Sequence, residues 1–133
     1  MLADCSQCVG LCCVVPPFDA EQGFGFDKPA ETPCQHLCAD HRCGIHDDLI
    51  ERGFSGCVAF DCLGAGQRLT AQAQARFGST DWRARPDVAR WLMAAYPRVR
   101  RVQEQLATLT LAAMLPGGSS DLAALAQALE AEA

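Results

Sequence analysis

The sequence predicts a mostly α-helical protein with irregular loops, in which a small cysteine-rich domain precedes the helices. Two observations support this fold class. All nine cysteines lie within the first 62 of the 133 residues, where glycine and proline divide the chain into short segments. After residue 66 the apolar residues recur at helical spacing. We therefore expect a cysteine-rich region over residues 1–66 and a helical region over residues 67–133 that packs on it.

The cysteine-rich half holds few long periodic runs, so its elements should be short. Cys13–Pro16 and Cys57–Phe60 are expected to be short strands or simple extended pieces. Asp47–Gly53 should form a short helix, because acidic residues occupy its first turn and Gly53 stands where a left-handed C-cap is common.

The second half of the sequence is predicted to be helical. Leucine, alanine and phenylalanine at i, i+4 and i+8 indicate a helix over residues 65–77. A second helix should begin near Pro86, because proline suits the first helical turn, and Pro97 should break or kink it. Helical spacing resumes over residues 99–113 and stops at Pro116. A last helix should be capped by Ser119 or Ser120. Its apolar side would then carry Leu122, Leu125 and Leu129.

Charge and targeting signals narrow the function classes. The net charge is −5, and residues 1–66 carry ten acidic residues against three basic ones. Such a chain is a poor ligand for phosphate backbones, so we expect no nucleic-acid partner. No basic segment precedes an apolar run at the N-terminus, and no stretch approaches the about 18 apolar residues of a membrane helix. We expect a cytoplasmic protein without a membrane partner. The ratio of ten arginines to one lysine is typical of a GC-rich bacterial genome.

Nine thiols in a reducing compartment indicate metal ligation. Disulfides are rare in the cytosol, and an odd number of cysteines suits a disulfide framework poorly. Four clustered thiolates bind zinc tetrahedrally or hold an iron–sulfur cluster. We therefore expect the cysteine-rich domain to be metal-stapled by Zn²⁺, with iron or an iron–sulfur cluster as the alternative.

The cysteines form three clusters along the chain. The first is Cys5-x2-Cys8-x3-Cys12-Cys13, whose C-x2-C unit places two thiolates on a tight turn. If the backbone is extended there, the adjacent Cys12 and Cys13 point in different directions, so each can serve a different site. The later clusters are Cys34-x3-Cys38-x4-Cys43-x2-His46 and Cys57-x4-Cys62. Nine cysteines allow two four-thiolate sites with one cysteine left over.

Several enzyme motifs are excluded by spacing. The first cluster has the order x2 then x3, whereas radical-SAM chemistry needs C-x3-C-x2-C. No H-x-E precedes Pro33-Cys34, which excludes the zinc deaminase pattern. The segment Gly64-Ala65-Gly66 lacks the third glycine of a dinucleotide-binding loop. We lean against an enzymatic activity and identify no catalytic residue.

These cysteines resemble those of the CxxCxxCC (YkgJ-like) family, which is described as zinc- or iron-chelating. The family has an opening that ends in CC, a P-C unit, a C-x-I-[YH] unit and a later cysteine pair. The last three correspond here to Pro33-Cys34 with Leu37, Cys43-Gly44-Ile45-His46, and Cys57 with Cys62. The segment 53–67 is similar to the cysteine-rich region in front of bacterial pentapeptide-repeat proteins. The chain departs from the family in having three residues between Cys8 and Cys12 and no pentapeptide repeats.

The resemblance implies a set of metal ligands. The eight cysteines that match the family pattern are Cys5, Cys8, Cys12, Cys13, Cys34, Cys43, Cys57 and Cys62. Cys38 lies outside that pattern. His46 occupies a place that accepts tyrosine or histidine, so we expect it to pack beside a ligand. His36 and His41 are expected to be exposed loop residues.

Three functions follow as hypotheses. The first is a metal-binding protein with a structural or regulatory role, in which one or two zinc or iron ions fold the N-terminal half. The second is an iron–sulfur protein with an electron-transfer or redox function. The third is a zinc-stapled interaction module that presents the C-terminal helices to a protein partner.

Overall fold

The computed structural model describes residues 3–115 and 120–132. Helices dominate this part of the chain, and it contains no strand, only two isolated bridges between Phe18 and Lys28 and between Leu37 and Cys43. The four α-helices are α1 (Ser55–Ala59), α2 (Ala65–Phe77), α3 (Pro86–Met114) and α4 (Ser120–Glu132). Four short 3-10 turns precede them, at Cys5–Gln7, Leu11–Cys13, Ala20–Gln22 and His46–Asp48. The mostly helical fold class with irregular loops is confirmed.

The main core joins the N-terminal loops to α2 and α3. Leu69 on α2 and Leu92 on α3 are fully buried, and so are Leu11 and Val14 from the first loops. Because apolar side chains from both sides of residue 66 share one core, burial of these helices also fixes the loops that carry the first cysteines.

A buried cation ties the N-terminal loops together. Lys28 is only 5% exposed, and its Nζ donates hydrogen bonds to the carbonyls of Val14, Pro16 and Pro29 at 3.1, 2.7 and 3.1 Å. The same ammonium lies 4.6 Å from the centre of the Phe18 ring. A buried ammonium needs an acceptor for each of its three N–H groups, so Lys28 ties the segment Val14–Pro16 to its own segment at Pro29.

Pro97 was expected to break or kink the helix, and it does not break it, because α3 runs from Pro86 to Met114 with Pro97 inside it. Pro97 is exposed, whereas Leu92, Tyr96 and Leu106 on the same helix are buried. Proline in a helix costs about 3 kcal/mol. Continuous burial of one face against α2 and α4 offsets that loss.

The short elements of the cysteine-rich half differ from expectation. The expected extended piece Cys57–Phe60 is wrong for its first three residues, which belong to α1, and only Phe60 is extended. Cys13–Pro16 is a turn and bend that begins in the turn Leu11–Cys13. In place of the expected short helix 47–53, the chain forms the turn His46–Asp48 and further turns.

The expected left-handed cap at Gly53 is confirmed, with φ +81°. Gly53 N–H donates to the Ile50 carbonyl at 3.1 Å, and Phe54 N–H donates to the Leu49 carbonyl at 2.8 Å. This pair of bonds is a Schellman motif, which ends a turn and places a hydrophobic residue after the glycine. Phe54 is accordingly buried beside Leu49 and Ile45.

α4 packs on the C-terminal half of α3. Ala126 is its buried residue, while Leu122 and Leu129 are half-buried and Leu125 is 50% exposed, so the expected row of three leucines is only partly covered. Ser119 and the break at Pro116 lie outside the described residues. Among the helices that the structure describes, none is both long and apolar enough to cross a membrane.

Candidate metal centre

The first cysteine turn is held against the start of α2. Asp4 caps the turn by accepting a 2.8 Å hydrogen bond from Ser6 N–H, and its own N–H donates to Gln67 Oε1. A Cβ added at Gly66 would lie 2.6 Å from the Sγ of Cys8. Only glycine at position 66 therefore allows Cys8 to pack so closely on α2. Gly66 lies four residues after Cys62.

The later cysteines, Cys34, Cys43 and Cys57, are held by a second set of contacts that begins at Cys13. Cys34 N–H donates a 2.8 Å hydrogen bond to the Cys13 carbonyl, and Cys34 is buried at 7% exposed. Cys43 and Cys57 both pack against the small apolar cluster of Ile45, Leu49 and Phe54. Gly56, beside Cys57, sits so close to a neighbouring loop that an added Cβ would lie 2.7 Å from the Gln22 carbonyl oxygen.

Two cavities bring these thiols together. One, of about 130 Å³, is lined by cysteines and by aromatic side chains such as Phe18 and Phe54. Its cysteines are Cys5, Cys12, Cys13, Cys34, Cys43 and Cys57. The other, of about 270 Å³, is lined by Cys5, Cys8, Cys12, Cys13 and Cys43. Seven of the eight expected ligands thus line two cavities that share four cysteines.

We divide the eight thiols into two groups of four according to the cysteine charges that act on each of them. Burial raises the pKa values of Cys5 and Cys8, and the charges of Cys12 and Cys62 raise both further. We call these four the α2 thiol group, because Cys62 and Cys8 lie at the start of that helix. Although Cys62 lines neither cavity, it belongs here through its influence on Cys5 and Cys8.

The remaining four form what we call the α1 thiol group: Cys13, Cys34, Cys43 and Cys57. Burial raises the pKa of Cys57 to about 11, and the charges of Cys34, Cys12 and Cys43 contribute. Burial also raises the pKa of Cys43, with a contribution from Cys34. Cys12, a member of the α2 thiol group, therefore also influences members of the α1 thiol group.

The two groups meet at Cys12 and Cys13, whose Sγ atoms lie 3.9 Å apart. Their mutual hydrogen bond lowers the pKa of Cys12 and raises that of Cys13. A Zn–S bond of about 2.3 Å implies thiolates about 3.8 Å apart around a tetrahedral ion. The spacing is therefore compatible with thiolates on one ion or on two adjoining ions.

The donor set fits a thiophilic metal, but the side chains are not arranged around one point. Across residues 3–115 and 120–132, no three cysteine, histidine or acidic side chains stand close enough together to hold one ion. Mutual repulsion and burial both favour the protonated thiols in such a cluster. Zinc sites commonly form only when the ion binds and displaces those protons.

Two basic side chains that the sequence analysis did not single out lie beside the thiols. Arg42 donates to the carbonyls of Cys5 and Ser6, the latter at 2.9 Å, and its charge lowers the pKa of Cys5 against the larger effect of burial. Burial lowers the pKa of Lys28, which the charges of Cys34 and Cys13 raise. No local motif marks either residue, although Lys28 is the single lysine of the sequence.

His36 and His41 are less exposed than expected, whereas His46 lies beside the expected ligands. His36 is half-buried, with its ring edge-on to Phe54 at 5.4 Å, and His41 is half-buried beside Trp82 at 5.5 Å. His46, expected to pack beside a ligand, lines both thiol cavities, although its side chain is largely exposed and lies 3.7 Å from the Asp47 carboxylate. Cys38 is exposed and lines neither thiol cavity.

Comparison with known proteins adds one relative. The chain is 41% identical over 104 residues to the Bacillus subtilis (strain 168) protein named "Uncharacterized protein YybG". The match covers 78% of this chain and 36% of the relative, so the chain spans about a third of that protein's length. No family model matches the chain, and no solved structure matches it. The resemblance to the CxxCxxCC family stays a prediction.

Proposed function

We propose that the protein binds one or two metal ions through eight cysteine thiolates, and that zinc is the bound ion. The observation that carries the proposal is the convergence of seven of these cysteines on two adjoining cavities. The eight residues are those expected from the resemblance to the CxxCxxCC (YkgJ-like) family, to which we propose that the chain belongs. A reducing, cytoplasmic location would keep these thiols available for metal.

The two thiol groups support a pair of four-thiolate sites. The α2 thiol group would hold one ion and the α1 thiol group the other, with Cys12 and Cys13 side by side where the sites meet. Four thiolates are the donor set of structural zinc sites. The ion would displace the protons of thiols whose pKa values burial has raised.

The ions would staple loops that have little core of their own. Among the described residues, the apolar cluster beside the α1 thiol group contains only three buried side chains, Ile45, Leu49 and Phe54. Metal binding would supply folding energy in such a region, because the unfolded chain holds no preformed site. This argues for a structural or regulatory role, which we propose as the function.

An iron–sulfur cluster is the second candidate, because the same thiolate sets hold such clusters. The apolar and aromatic lining of the smaller cavity, including Phe18, Phe24 and Phe60, favours it. Burial among apolar side chains is one of the factors that tune cluster potentials. Electron transfer or another redox function would then follow.

The test is elemental analysis with a visible spectrum on protein purified without oxygen and without added metal. We expect about two zinc ions per chain and no colour for two Cys₄ sites. Iron with matching sulfide and a brown colour would establish the iron–sulfur candidate instead. Protein that is folded, reduced and free of both metals would contradict the proposal.

Two single-cysteine variants sharpen this test. Cys34→Ser removes a buried member of the α1 thiol group, so about half of the bound metal should be lost. Cys38→Ser is the matched control, because Cys38 is exposed and lines neither cavity. It should keep all of the metal, and equal losses from both variants would contradict the ligand assignment.

The proposal of a protein partner rests on the surface of the C-terminal helices. Leu111, Met114, Leu115 and Leu125 are exposed by 63, 78, 58 and 50%. Deletion of residues 117–133 tests the interaction-module hypothesis. Unchanged oligomeric state and solubility after that deletion would exclude a contact made through α4.

A further inference from the structure

Tyr96 carries a buried hydroxyl that makes no hydrogen bond within the part of the chain that the structure describes. Its side chain lies on α3 and is 2% exposed, and its OH has no hydrogen-bond partner among the residues that the structure describes. An unpartnered buried hydroxyl costs about 1–3 kcal/mol, whereas phenylalanine would fill the same space without that cost. The position therefore calls for an explanation beyond packing.

The surroundings of Tyr96 are the α2 thiol group. Cys8 and Cys62 pack on the core that contains Tyr96, and α3 contacts the turn Leu11–Cys13 that carries Cys12. Burial raises the pKa of Tyr96, and the charges of Cys12, Cys62 and Cys8 raise it further. Tyr96 therefore shares its core with two cysteines of this group, and its helix contacts the turn that carries a third.

We propose that Tyr96 is a positioning residue for the α2 thiol group, whose hydroxyl donates a hydrogen bond to one of its sulfurs when those thiolates hold a metal ion. This inference rests on the metal-binding function proposed above. It assigns a role in metal binding to Tyr96, which lies on α3, a helix that carries none of the eight proposed ligands.

The chemistry of a four-thiolate site explains why a donor is needed. Four thiolates carry four negative charges, and one divalent cation neutralises only two of them. The excess charge lies on sulfur atoms in a largely buried setting, where an uncompensated charge is costly. A neutral phenol can donate to such a sulfur without bringing a further charge. Donors of this kind orient metal ligands and tune the bond between metal and sulfur.

The test uses Co²⁺ as a spectroscopic probe in the full chain. Wild type, Tyr96→Phe and Thr110→Val are each reduced, freed of metal and titrated with Co²⁺ without oxygen. Thr110→Val is the control, because it also removes a hydroxyl from α3. That hydroxyl donates to the Leu106 carbonyl at 2.8 Å, away from the thiols. The readouts are the sulfur-to-cobalt charge-transfer band and the affinity of each site.

We expect the charge-transfer band of Tyr96→Phe to move to longer wavelength, because an unbonded thiolate gives up its electron more easily. One of two Co²⁺ equivalents should bind at least about tenfold more weakly. Thr110→Val should match wild type in both readouts. Circular dichroism of the metal-free variants checks that both are folded.

Each other outcome overturns the inference in a distinguishable way. If wild type takes up Co²⁺ and Tyr96→Phe matches it in band and affinity, the hydroxyl is not a donor, while the proposed function stands. If Tyr96→Phe loses one Co²⁺ equivalent entirely, the phenol oxygen is itself a ligand. If wild type takes up no Co²⁺, the proposed function and this inference fail together.

Discussion

The indole Nε1–H of Trp82 donates a 2.9 Å hydrogen bond to the carbonyl of Val9, 73 residues earlier in the chain. Trp82 lies between α2 and α3 and is 8% exposed, while Val9 lies between Cys8 and Cys12. The bond therefore fastens the first cysteine loop to the segment that joins the two main helices.

Trp82→Phe should destabilise the protein by about 2–4 kcal/mol, because it leaves the Val9 carbonyl without its donor and shrinks a buried ring. Urea unfolding of the metal-free protein measures this. Trp91→Phe is the matched control, because Trp91 is half-buried and packs edge-on against Phe77 at 5.7 Å. An equal loss in both variants would show that ring size, and not the bond to Val9, sets the effect.

Metal removal should lower the melting temperature by about 10 °C. A ligand present at 100 times its Kd contributes about 2.7 kcal/mol, which corresponds to that shift in a chain of this size. Calorimetry before and after chelation under reducing conditions measures the change, and added Zn²⁺ should reverse it. Identical melting curves with and without metal would remove the structural role from the proposal.

Hydrogen exchange should show which part of the chain loses stability when the metal is removed. The Cys34 amide, which donates to the Cys13 carbonyl, should lose protection when the metal is removed. Amides in the middle of α3 should keep theirs, because that helix is held by the main core. Uniform loss of protection along the chain would instead indicate that the two regions unfold as one unit.

The metal-free protein should lose stability as the pH falls below the ordinary His41 value of 6.5. Burial lowers the pKa of His41, and the Arg83 guanidinium lowers it further. Because the unfolded chain takes up a proton near pH 6.5 and the folded chain only at lower pH, the contribution of His41 is present above 6.5 and is lost as the pH falls.

NMR titration of the His41 ring measures this pKa directly. Arg83→Gln should raise it towards 6.5, since one of its two lowering influences is removed. A pKa at or above 6.5 in the unchanged chain would contradict the prediction. His41→Phe should flatten the acid side of the stability profile in the metal-free protein.

Pro97→Ala should stabilise the protein by about 1–3 kcal/mol. Alanine restores the N–H that proline lacks in the interior of α3 and relieves its clash with the preceding turn. Pro97 is exposed, so the change removes little packing. Thermal unfolding measures the gain, and a lower melting temperature would show that α3 depends on the local geometry that proline imposes.

The sequence identifies the helices better than the loops. The start of α3 at Pro86 and the span of α2 follow from cap residues and apolar spacing, which are local signals. The continuity of α3 through Pro97 does not, because it depends on burial of Tyr96 and Leu106 against other helices. Local rules for proline carry no information about that packing.

In the candidate site, too, the sequence indicates local features but not those that depend on tertiary packing. Spacing marks the C-x2-C turn and the CC pair, and it allows two four-thiolate sites. It does not indicate that Cys57 would lie on a helix beside Cys34, because Gly56 must first pack against the Gln22 carbonyl. It also gives no sign of Tyr96, whose apolar spacing resembles that of any core residue on α3.

The buried ammonium of Lys28 has a practical consequence for anyone who handles the protein. The sequence contains a single lysine, so amine-directed dyes and cross-linkers find no exposed lysine side chain to attack while the chain is folded. Acylation of Lys28 should therefore follow opening of the loops around Val14 and Pro16. Mass spectrometry of that one modification would time the opening without any engineered label.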